Sequence, residues 1–296
     1  MAKYHTSFKI KKRRRVNEIC AKMRAGKEHP TTLRDTMHKP PLERREGMTD
    51  NIRPSESTHY YRIDGTPVYT VIGKNGKERP TTLRDLKKMG DLVPSVTSII
   101  KLAARPMLQQ WIIDQHILAC LTTERYENES EEAYIARIKA DANEQSKKAM
   151  EKGTIVHAWV QGGFEGEPLD KDAEIYFKNA KAELEKECGK QDWVCELPFA
   201  TERYGGKVDL QTEKYVIDIK TTEKDLDTVK IWDDHLLQLS AYREGTGNKG
   251  QQCGILFINI LTAEAKLLWV EEEELSRGLD CFNALLDFWR AKNRVK

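Results

Sequence analysis

The sequence lacks any long apolar run. No window approaches the roughly 18 uncharged apolar residues that suggest a membrane-spanning helix, and the basic N-terminus has no apolar stretch of the kind found in secretion signals. The 296 residues are 39% hydrophobic and 32% charged, a balance typical of a globular protein that can bury a sizeable core. We therefore expect an intracellular protein with no membrane partner.

Paired cysteines are also absent. None of the six cysteines stands in a CxxC pair, so neither a cysteine-bound zinc site nor a disulfide framework is indicated. We expect reduced and mostly buried thiols. The six are Cys20, Cys120, Cys188, Cys195, Cys253 and Cys281.

Charge is unevenly distributed, although the net charge of the chain is only +2. Residues 1–50 contain 14 Lys and Arg against 6 acidic residues, a net charge of +8, which leaves −6 for residues 51–296. A basic segment on a mildly acidic body favours a polyanionic partner, because Lys and Arg near phosphates release condensed counterions. The alternative is a solvated tail without a binding role.

The chain divides into three predicted parts. Residues 1–55 are polar, contain four prolines and predict a basic, flexible arm. Residues 56–150 predict a β-ribbon and a helical portion, and residues 151–296 predict the main domain. A near-repeat joins the first two parts, since Pro30-Thr-Thr-Leu-Arg-Asp35 recurs as Pro80-Thr-Thr-Leu-Arg-Asp85. Two copies are too few for a repeat architecture.

The second part should begin with a hairpin and continue as helices. Apolar and polar residues alternate from Tyr60 to Ile72 around the turn dipeptide Asp64-Gly65. Ser95 is a suitable N-cap for a following helix. Apolar spacing predicts further helices at residues 105–122, 130–149, 151–163 and 171–188.

The third part should form a sheet. Strand patterns interrupted by one helix at residues 232–244 predict a three-strand meander, a crossover helix and a return strand. The pair Gly205-Gly206 is read as a turn, and a final amphipathic helix follows Val270. The fold class is therefore α/β, with a mixed central sheet flanked by helices. The predicted strands are Trp193–Thr201, Lys207–Leu210, Tyr215–Ile219, Gln252–Ile260 and Ala265–Val270.

Two of these strands carry the candidate catalytic residues Asp209, Asp218 and Lys220. Side chains two residues apart on a strand share a face, so Asp218 and Lys220 should point into one cleft. The short turn after Asp209 should bring its carboxylate to the same cleft, within reach of a shared divalent cation. Lys220 can stabilise charge in a transition state or orient an attacking water.

A structural explanation competes with this interpretation, because Asp-x-Lys on a strand edge is common as a surface ion pair. The flanking sequence Val216-Ile217-Asp218-Ile219 favours the catalytic interpretation. It places a carboxylate inside a strand that otherwise looks buried. A buried carboxylate is costly unless it is paired or bound to a metal.

Three further residues have both structural and functional interpretations. His157 follows Gly153 on a predicted helix, and it is either a satisfied core histidine or a metal ligand. Gln238 and Tyr242 lie four residues apart and share a helix face. They are surface polar residues, contacts for a DNA backbone, or a brace for Lys220.

Taken in order, His157, Asp209, Asp218 with Lys220, and Gln238 with Tyr242 resemble the RecB-type branch of the PD-(D/E)xK nuclease superfamily. This branch includes bacterial recombination nucleases, CRISPR-adaptation nucleases and many phage exonucleases. The matching region covers about residues 150–260. The stretch from His59 to Ile99 also looks like the N-terminal portion of phage-encoded members.

The resemblance implies a restriction-endonuclease-like core and one or two Mg²⁺ or Mn²⁺ ions. The implied metal ligands are His157, Asp209, Asp218 and the main-chain carbonyl of Ile219, with Glu196 as a helper through water. An imidazole ligand suits Mn²⁺ better than Mg²⁺. Some relatives carry an iron–sulfur cluster on one early cysteine and a tight late trio. Cys253 and Cys281 cannot supply that trio, so no cluster is expected.

The implied function is that of a metal-dependent DNA exonuclease in phage replication, recombination or repair. Its substrate would be DNA with free ends, bound in part by Gln238 and Tyr242, and a single-strand annealing or replication protein is a candidate partner. If the chain is phage-encoded, it would act in the host cytoplasm. Two alternatives stay open: a structure- or sequence-specific endonuclease of the same fold, and a non-cleaving DNA-binding recombination accessory protein.

Overall fold

The computed structural model describes residues 59–295, apart from the side chains at positions 145, 146, 148 and 149. The described residues 59–295 belong to one compact unit. The predicted arm at residues 1–55 lies outside the described residues, and so does the first copy of the near-repeat. The predicted division into parts therefore stays a prediction.

Two small antiparallel sheets open the described chain. The hairpin predicted around Asp64-Gly65 is present: Gly65 has a φ of +91°, and Asp64 Oδ1 accepts a hydrogen bond of 2.8 Å from the Thr66 amide. A later strand that the sequence analysis missed adds to this hairpin and gives the strand order β2-β1-β5. The strands are β1 (Tyr60–Arg62), β2 (Pro67–Val68), β3 (Thr70–Ile72), β4 (Glu78–Pro80) and β5 (Leu92–Pro94), with β3 paired to β4.

A short helix, α1 (Leu83–Met89), was also missed, and it begins within the second copy of the near-repeat. Asp85 Oδ2 accepts hydrogen bonds from the amide and the hydroxyl of Thr82, at 2.9 and 2.7 Å, and so closes the first turn. The Arg79 guanidinium binds the same carboxylate through both nitrogens at 2.7 Å. Thr-x-x-Asp in the motif is therefore a helix-start signal, and the first copy has the same spacing.

The helical part agrees with the prediction except at one point. Ser95 caps the next helix, since its side chain accepts a hydrogen bond from the Ser98 amide. The helices predicted at 130–149 and 151–163 form one continuous helix, because no residue near position 150 interrupts backbone hydrogen bonding. The predicted boundary at residue 150 falls inside it. The helices are α2 (Val96–Ile100), α3 (Pro106–Thr122), α4 (Glu131–Glu165) and α5 (Lys171–Cys188).

The main sheet confirms the predicted α/β fold class. Its strand order is β10-β9-β8-β7-β6, with β8 and β9 parallel and the other neighbours antiparallel. Helix α6 connects the parallel pair, because two parallel neighbouring strands need a long crossover connection. The elements are β6 (Val194–Ala200), β7 (Gly205–Gln211), β8 (Tyr215–Thr222), α6 (Asp233–Gly245), β9 (Gln252–Asn259), β10 (Ala265–Trp269) and α7 (Glu272–Asn293).

Helices cover both faces of this sheet, and each face has its own apolar core. Ile217 and Ile219 of β8 pack with Val160 of α4 and Leu184 of α5 on one face. Val216 packs with residues of α2, α6 and α7 on the other. Alternation along β8 thus sends neighbouring side chains to opposite cores, as predicted for this strand. Within residues 59–295, no helix is both long and apolar enough to cross a bilayer.

The predicted turn at Gly205-Gly206 is wrong, because both glycines begin strand β7. The turn comes earlier, where Thr201 Oγ1 accepts hydrogen bonds from the amides of Arg203 and Tyr204. The glycines serve close packing instead. A Cβ at Gly205 would lie 2.7 Å from the Tyr61 side chain, so only glycine lets β7 pass this close.

Candidate active site

The candidate site lies where strands β7 and β8 separate. The two strands pair only at Leu210 with Ile217 and at Gln211 with Val216. Beyond that point the Asp209 side chain replaces the missing ladder bond, since its Oδ2 accepts a hydrogen bond of 2.8 Å from the Ile219 amide. Polar side chains can therefore contact one another in the gap between the two strands, although the rest of the sheet is apolar.

Helix α4 brings His157 to this gap. Its Nε2 lies 3.2 Å from Asp209 Oδ2. The approach depends on Gly153, one turn earlier, because a Cβ there would lie 2.5 Å from Thr221 Oγ1 on β8. Gly153 thus permits the close approach of α4 to the sheet, and Val156, Trp159 and Val160 form the buried apolar side of this helix.

Asp218 is the most deeply buried member of the site, with 0% of its surface exposed. Its Oδ2 lies 2.5 Å from the Lys220 Nζ. Among the described residues, however, neither carboxylate oxygen accepts a hydrogen bond of good geometry. A carboxylate without a full set of donors is unusual in a protein interior, where polar groups are nearly always satisfied.

Lys220 connects the carboxylates to helix α6. Its Nζ donates to Gln238 Oε1 at 3.2 Å, and Gln238 Nε2 donates in turn to the Tyr242 hydroxyl at 2.8 Å. Tyr242 is only 4% exposed and packs edge-on against Phe199. This chain of contacts corresponds to the bracing role that the sequence left open. The predicted contact of Gln238 and Tyr242 with DNA stays a prediction.

Burial and mutual attraction set the charges of this cluster. Burial works against ionisation of Asp209 and His157, but their attraction outweighs it, so the pKa of Asp209 lies below its ordinary value and that of His157 above. Burial also opposes the Lys220 charge, yet Asp218 and Asp209 keep the pKa of this lysine above its usual value. Burial raises the pKa of Asp218 to about 6, despite the attraction of Lys220.

Two residues of the neighbouring strands complete the cluster. One carboxylate oxygen of Glu196, on β6, lies near an imidazole nitrogen of His157 and a carboxylate oxygen of Asp209. These three atoms are all within 4.8 Å of one another. Asp218 is not part of that group. Lys207 of β7 forms an ion pair with Glu196, and both side chains are about nine-tenths buried, at 8% and 11% exposure. Glu196 was predicted as a helper, whereas Lys207 was missed; its only signal was its position two residues before Asp209.

The donor set of this cluster fits a hard divalent cation. His157, Asp209 and Asp218 offer an imidazole nitrogen and carboxylate oxygens, the groups that Mn²⁺ and Mg²⁺ accept. A bound cation would also stabilise Asp218, which is fully buried, has the Lys220 ammonium as a nearby counter-charge and accepts no hydrogen bond of good geometry. The carbonyl of Ile219, predicted as a ligand, belongs to the strand segment between Asp218 and Lys220.

A cavity of about 170 Å³ adjoins the site at Gln238. Lys101 and Arg105 bring two cations to its wall, and Arg105 also lies 3.6 Å from the Asp234 carboxylate. Neither cation was predicted as a site residue from the sequence. The remaining lining residues are Thr97, Ile100 and Asp234.

Comparisons with known proteins leave the family open. No family model matches the chain, and no curated protein matches it. Among solved structures, that of LHK-Exo in complex with dAMP has a TM-score of 0.31 and 14% identity over 67% of this chain and 90% of that chain. The structure of SSO0001 has a TM-score of 0.26 and 14% identity, over 62% and 88% respectively. Similarity at this level does not bear on function.

Proposed function

We propose that this chain is a divalent-metal-dependent deoxyribonuclease, acting as an exonuclease in phage replication, recombination or repair. The observation that supports the proposal most is the fully buried Asp218 carboxylate, which lies 2.5 Å from the Lys220 ammonium and beside the Asp209–His157 pair. A surface ion pair would not need this degree of burial. A metal centre accounts for it, because a buried carboxylate is costly unless it is paired or bound to a metal.

The proposed ligands of the cation are His157, Asp209, Asp218 and the Ile219 carbonyl. A divalent cation bound there supplies an activated water and neutralises charge on the scissile phosphate. Asp209 is held by the Ile219 amide, so its carboxylate needs little rearrangement. His157 is positioned by α4, and the contact between Gly153 and Thr221 sets its distance from the sheet.

Lys220 is the proposed electrostatic catalyst. Its ammonium is held between Asp218 and Gln238, and its side chain keeps 31% exposure, so it can meet a phosphate from outside. A preorganised cation lowers the barrier by stabilising negative charge that develops in the transition state. Gln238 and Tyr242 fix the direction of this ammonium. Lys101 and Arg105, beside the adjoining cavity, are suited to hold neighbouring phosphates of the DNA.

Digestion of end-labelled linear DNA with Mg²⁺ or Mn²⁺ tests the proposal. Asp218→Asn should abolish cleavage and leave DNA binding nearly intact, because the change removes one ligand charge and keeps the shape. Asp225→Asn is a matched control on an exposed loop near the end of β8 and should cleave at the wild-type rate. Wild-type cleavage by Asp218→Asn would overturn the assignment.

Circular single-stranded DNA tests the exonuclease assignment separately. An exonuclease needs an end and should leave the circle intact while it degrades the same sequence once linearised. Cleavage of the circle would instead show an endonuclease of the same fold. Binding without cleavage of either substrate, with both metals present, would show a non-cleaving accessory protein.

A further inference from the structure

His235 lies on the same face of helix α6 as Gln238 and Tyr242. The three positions are three and then four residues apart, the spacing that places side chains one above the other on a helix. Gln238 accepts from the Lys220 ammonium and donates to the Tyr242 hydroxyl. His235 takes part in neither contact, although it stands one turn before Gln238 on the side of α6 that faces the site.

The sheet beneath α6 fixes the position of His235. Its ring packs against Phe257 of β9, with 5.9 Å between the ring centroids. Phe257 is the register partner of Lys220 in the parallel pair of β9 and β8. Register partners project to the same face of a sheet, because the two strands are pleated together. The imidazole therefore stands beside the Lys220 side chain, over the neighbouring strand.

The two ring nitrogens of His235 have different surroundings. Nδ1 accepts a hydrogen bond of 3.3 Å from the backbone amide of Trp232, the N-cap residue of α6. A nitrogen that accepts a hydrogen bond carries no proton, so the neutral ring carries its proton on Nε2. Within residues 59–295, nothing accepts from Nε2, and Nε2 is not one of the buried atoms that lack a partner. It is therefore an N–H donor open to solvent.

The charges around His235 keep its ring neutral. Burial and then the Lys220 charge lower the pKa of His235 to about 4. Arg105, which precedes α3, contributes to this lowering, and Asp234 on α6 acts in the opposite direction. The first-turn amides of α6 also disfavour a cation, because they form the positive end of the helix dipole. At pH 7 the imidazole is uncharged, and a neutral imidazole can still polarise an oxygen through its N–H.

We propose that His235 binds the scissile phosphate, donating from Nε2 to a non-bridging oxygen beside the one that Lys220 contacts. This inference rests on the proposed function and adds a residue to its substrate site. Lys220 supplies positive charge from a flexible stem, whereas the His235 ring is fixed by Trp232 and Phe257 and supplies direction. Two donors at two oxygens fix the orientation of the phosphate, which lowers the barrier by positioning.

Two substitutions separate the roles of the ring nitrogens. His235→Asn keeps an acceptor for the Trp232 amide near the place of Nδ1 and removes the donor at Nε2. His235→Gln places an amide N–H near the position of Nε2 and gives up the acceptor. Single-turnover cleavage of an end-labelled oligonucleotide with Mn²⁺ should be about ten- to 100-fold slower for His235→Asn, the range for a lost hydrogen bond to a charged group. His235→Gln should cleave at a rate close to that of wild type.

A phosphorothioate at the scissile bond gives a readout that a merely structural role of His235 would not change. Sulfur accepts hydrogen bonds poorly, and in one of the two diastereomers it replaces the oxygen that His235 binds. Wild type should cleave that diastereomer more slowly than the all-oxygen substrate. In His235→Asn the sulfur should cause no further loss, because the contact is already missing and the two changes are not additive. The same sulfur effect in both proteins would contradict the contact.

The pH profile tests whether His235 acts as a neutral donor. Since its pKa lies near 4, the ring keeps the Nε2 proton and no charge throughout the range from pH 6 to 9. The ratio of the wild-type rate to the His235→Asn rate should therefore be constant over this range. A ratio that falls as the pH rises would show proton donation by an imidazolium and would overturn the assignment.

His116→Asn is the matched control, because His116 on α3 is likewise half-buried and its Nδ1 lies 2.8 Å from the Ile112 carbonyl oxygen. It should cleave at the wild-type rate. Wild-type cleavage by His235→Asn, or equal losses in folded His235→Asn and His235→Gln, would overturn the inference alone. If circular dichroism shows that His235→Gln does not fold, the sulfur comparison with His235→Asn decides. An inactive wild type, or wild-type cleavage by Asp218→Asn, would instead overturn the proposed function.

Discussion

At the scale of single residues, Asp218 shows how a site can cost stability. The cation-free protein disfavours the ionised form of this carboxylate, because burial raises its pKa from 3.8 to about 6. A group whose folded pKa lies above its unfolded value contributes stability that is complete below the unfolded pKa and lost as the pH rises through the folded one. Asp218 should therefore lower the stability of the cation-free protein between pH 4 and 6.

Asp218→Asn should stabilise the cation-free protein at pH 8. A shift of two pKa units corresponds to about 3 kcal/mol, and the expected gain is smaller because Lys220 loses an ion-pair partner. Urea unfolding in EDTA at pH 4, 6 and 8 measures this directly. The variant should also show a smaller loss of stability between pH 4 and 6. A variant less stable than wild type at pH 8 would show that the Lys220 contact dominates.

Gly153 is the residue that sets the distance between α4 and β8. Gly153→Ala should lower the free energy of unfolding by about 1–3 kcal/mol, the usual cost of overpacking, because the new Cβ meets Thr221 Oγ1. Thr221→Ala removes that oxygen and should restore most of the loss in the double variant. Urea unfolding of the four proteins gives the coupling energy. Additive effects of the two changes would contradict the proposed contact.

These residues also mark what sequence can and cannot predict at a site. The apolar residues on both sides of Asp218 in β8 predicted that its carboxylate is buried, since strands covered on both faces have nearly continuous apolar sequences. The ion pair of Lys207 with Glu196 was not predictable, because it depends on a distorted step of β6, where the φ of +52° at Glu196 has no sequence signature in a Cys-Glu-Leu context. The cations of the adjoining cavity were missed because α2 and α6 meet only in the folded chain.

At the scale of elements, the start of a helix was predicted where one capping residue marked it. It was missed where two residues close the first turn together. Ser95 was recognised, but Thr82 was not, although Thr82 and Asp85 close the first turn of α1. The continuous α4 was predicted as two helices because its polarity obscured the apolar period near residue 150. The main sheet was predicted almost fully, since buried strands separated by turns leave few alternatives.

The α1 cap provides a test at this scale. Asp85→Asn should lower the free energy of unfolding at pH 7 by about 1–2 kcal/mol, because it weakens the cap and the Arg79 ion pair. Hydrogen bonds from Arg79 and Thr82 hold the pKa of Asp85 below its usual range, so its contribution is present above pH 4 and lost as the pH falls. Urea unfolding at pH 7 and 3 should therefore show a smaller difference in stability between the two proteins at pH 3 than at pH 7.

At the scale of the whole molecule, charge separates the N-terminal segment from the rest of the chain. Residues 1–50 carry +8 and residues 51–296 carry −6. If the chain binds DNA as proposed, its net negative body needs a local source of positive charge, and the described cavity wall adds only Lys101 and Arg105 to Lys220 at the site. The N-terminal segment is therefore the main expected electrostatic contact with DNA.

Removal of residues 1–54 should weaken DNA binding mainly at low salt. Each phosphate contact adds about 0.9 to the slope of log K against log salt concentration, so the truncated protein should show a shallower slope. Fluorescence anisotropy with a labelled duplex, from 50 to 300 mM NaCl and with EDTA to prevent cleavage, measures both slopes. The truncated chain should keep its metal-dependent cleavage, because Asp209, Asp218 and Lys220 all lie within the compact unit to which residues 59–295 belong. Equal slopes would show that the segment does not contact phosphates, and the DNA must then bind the body through cations placed around the site.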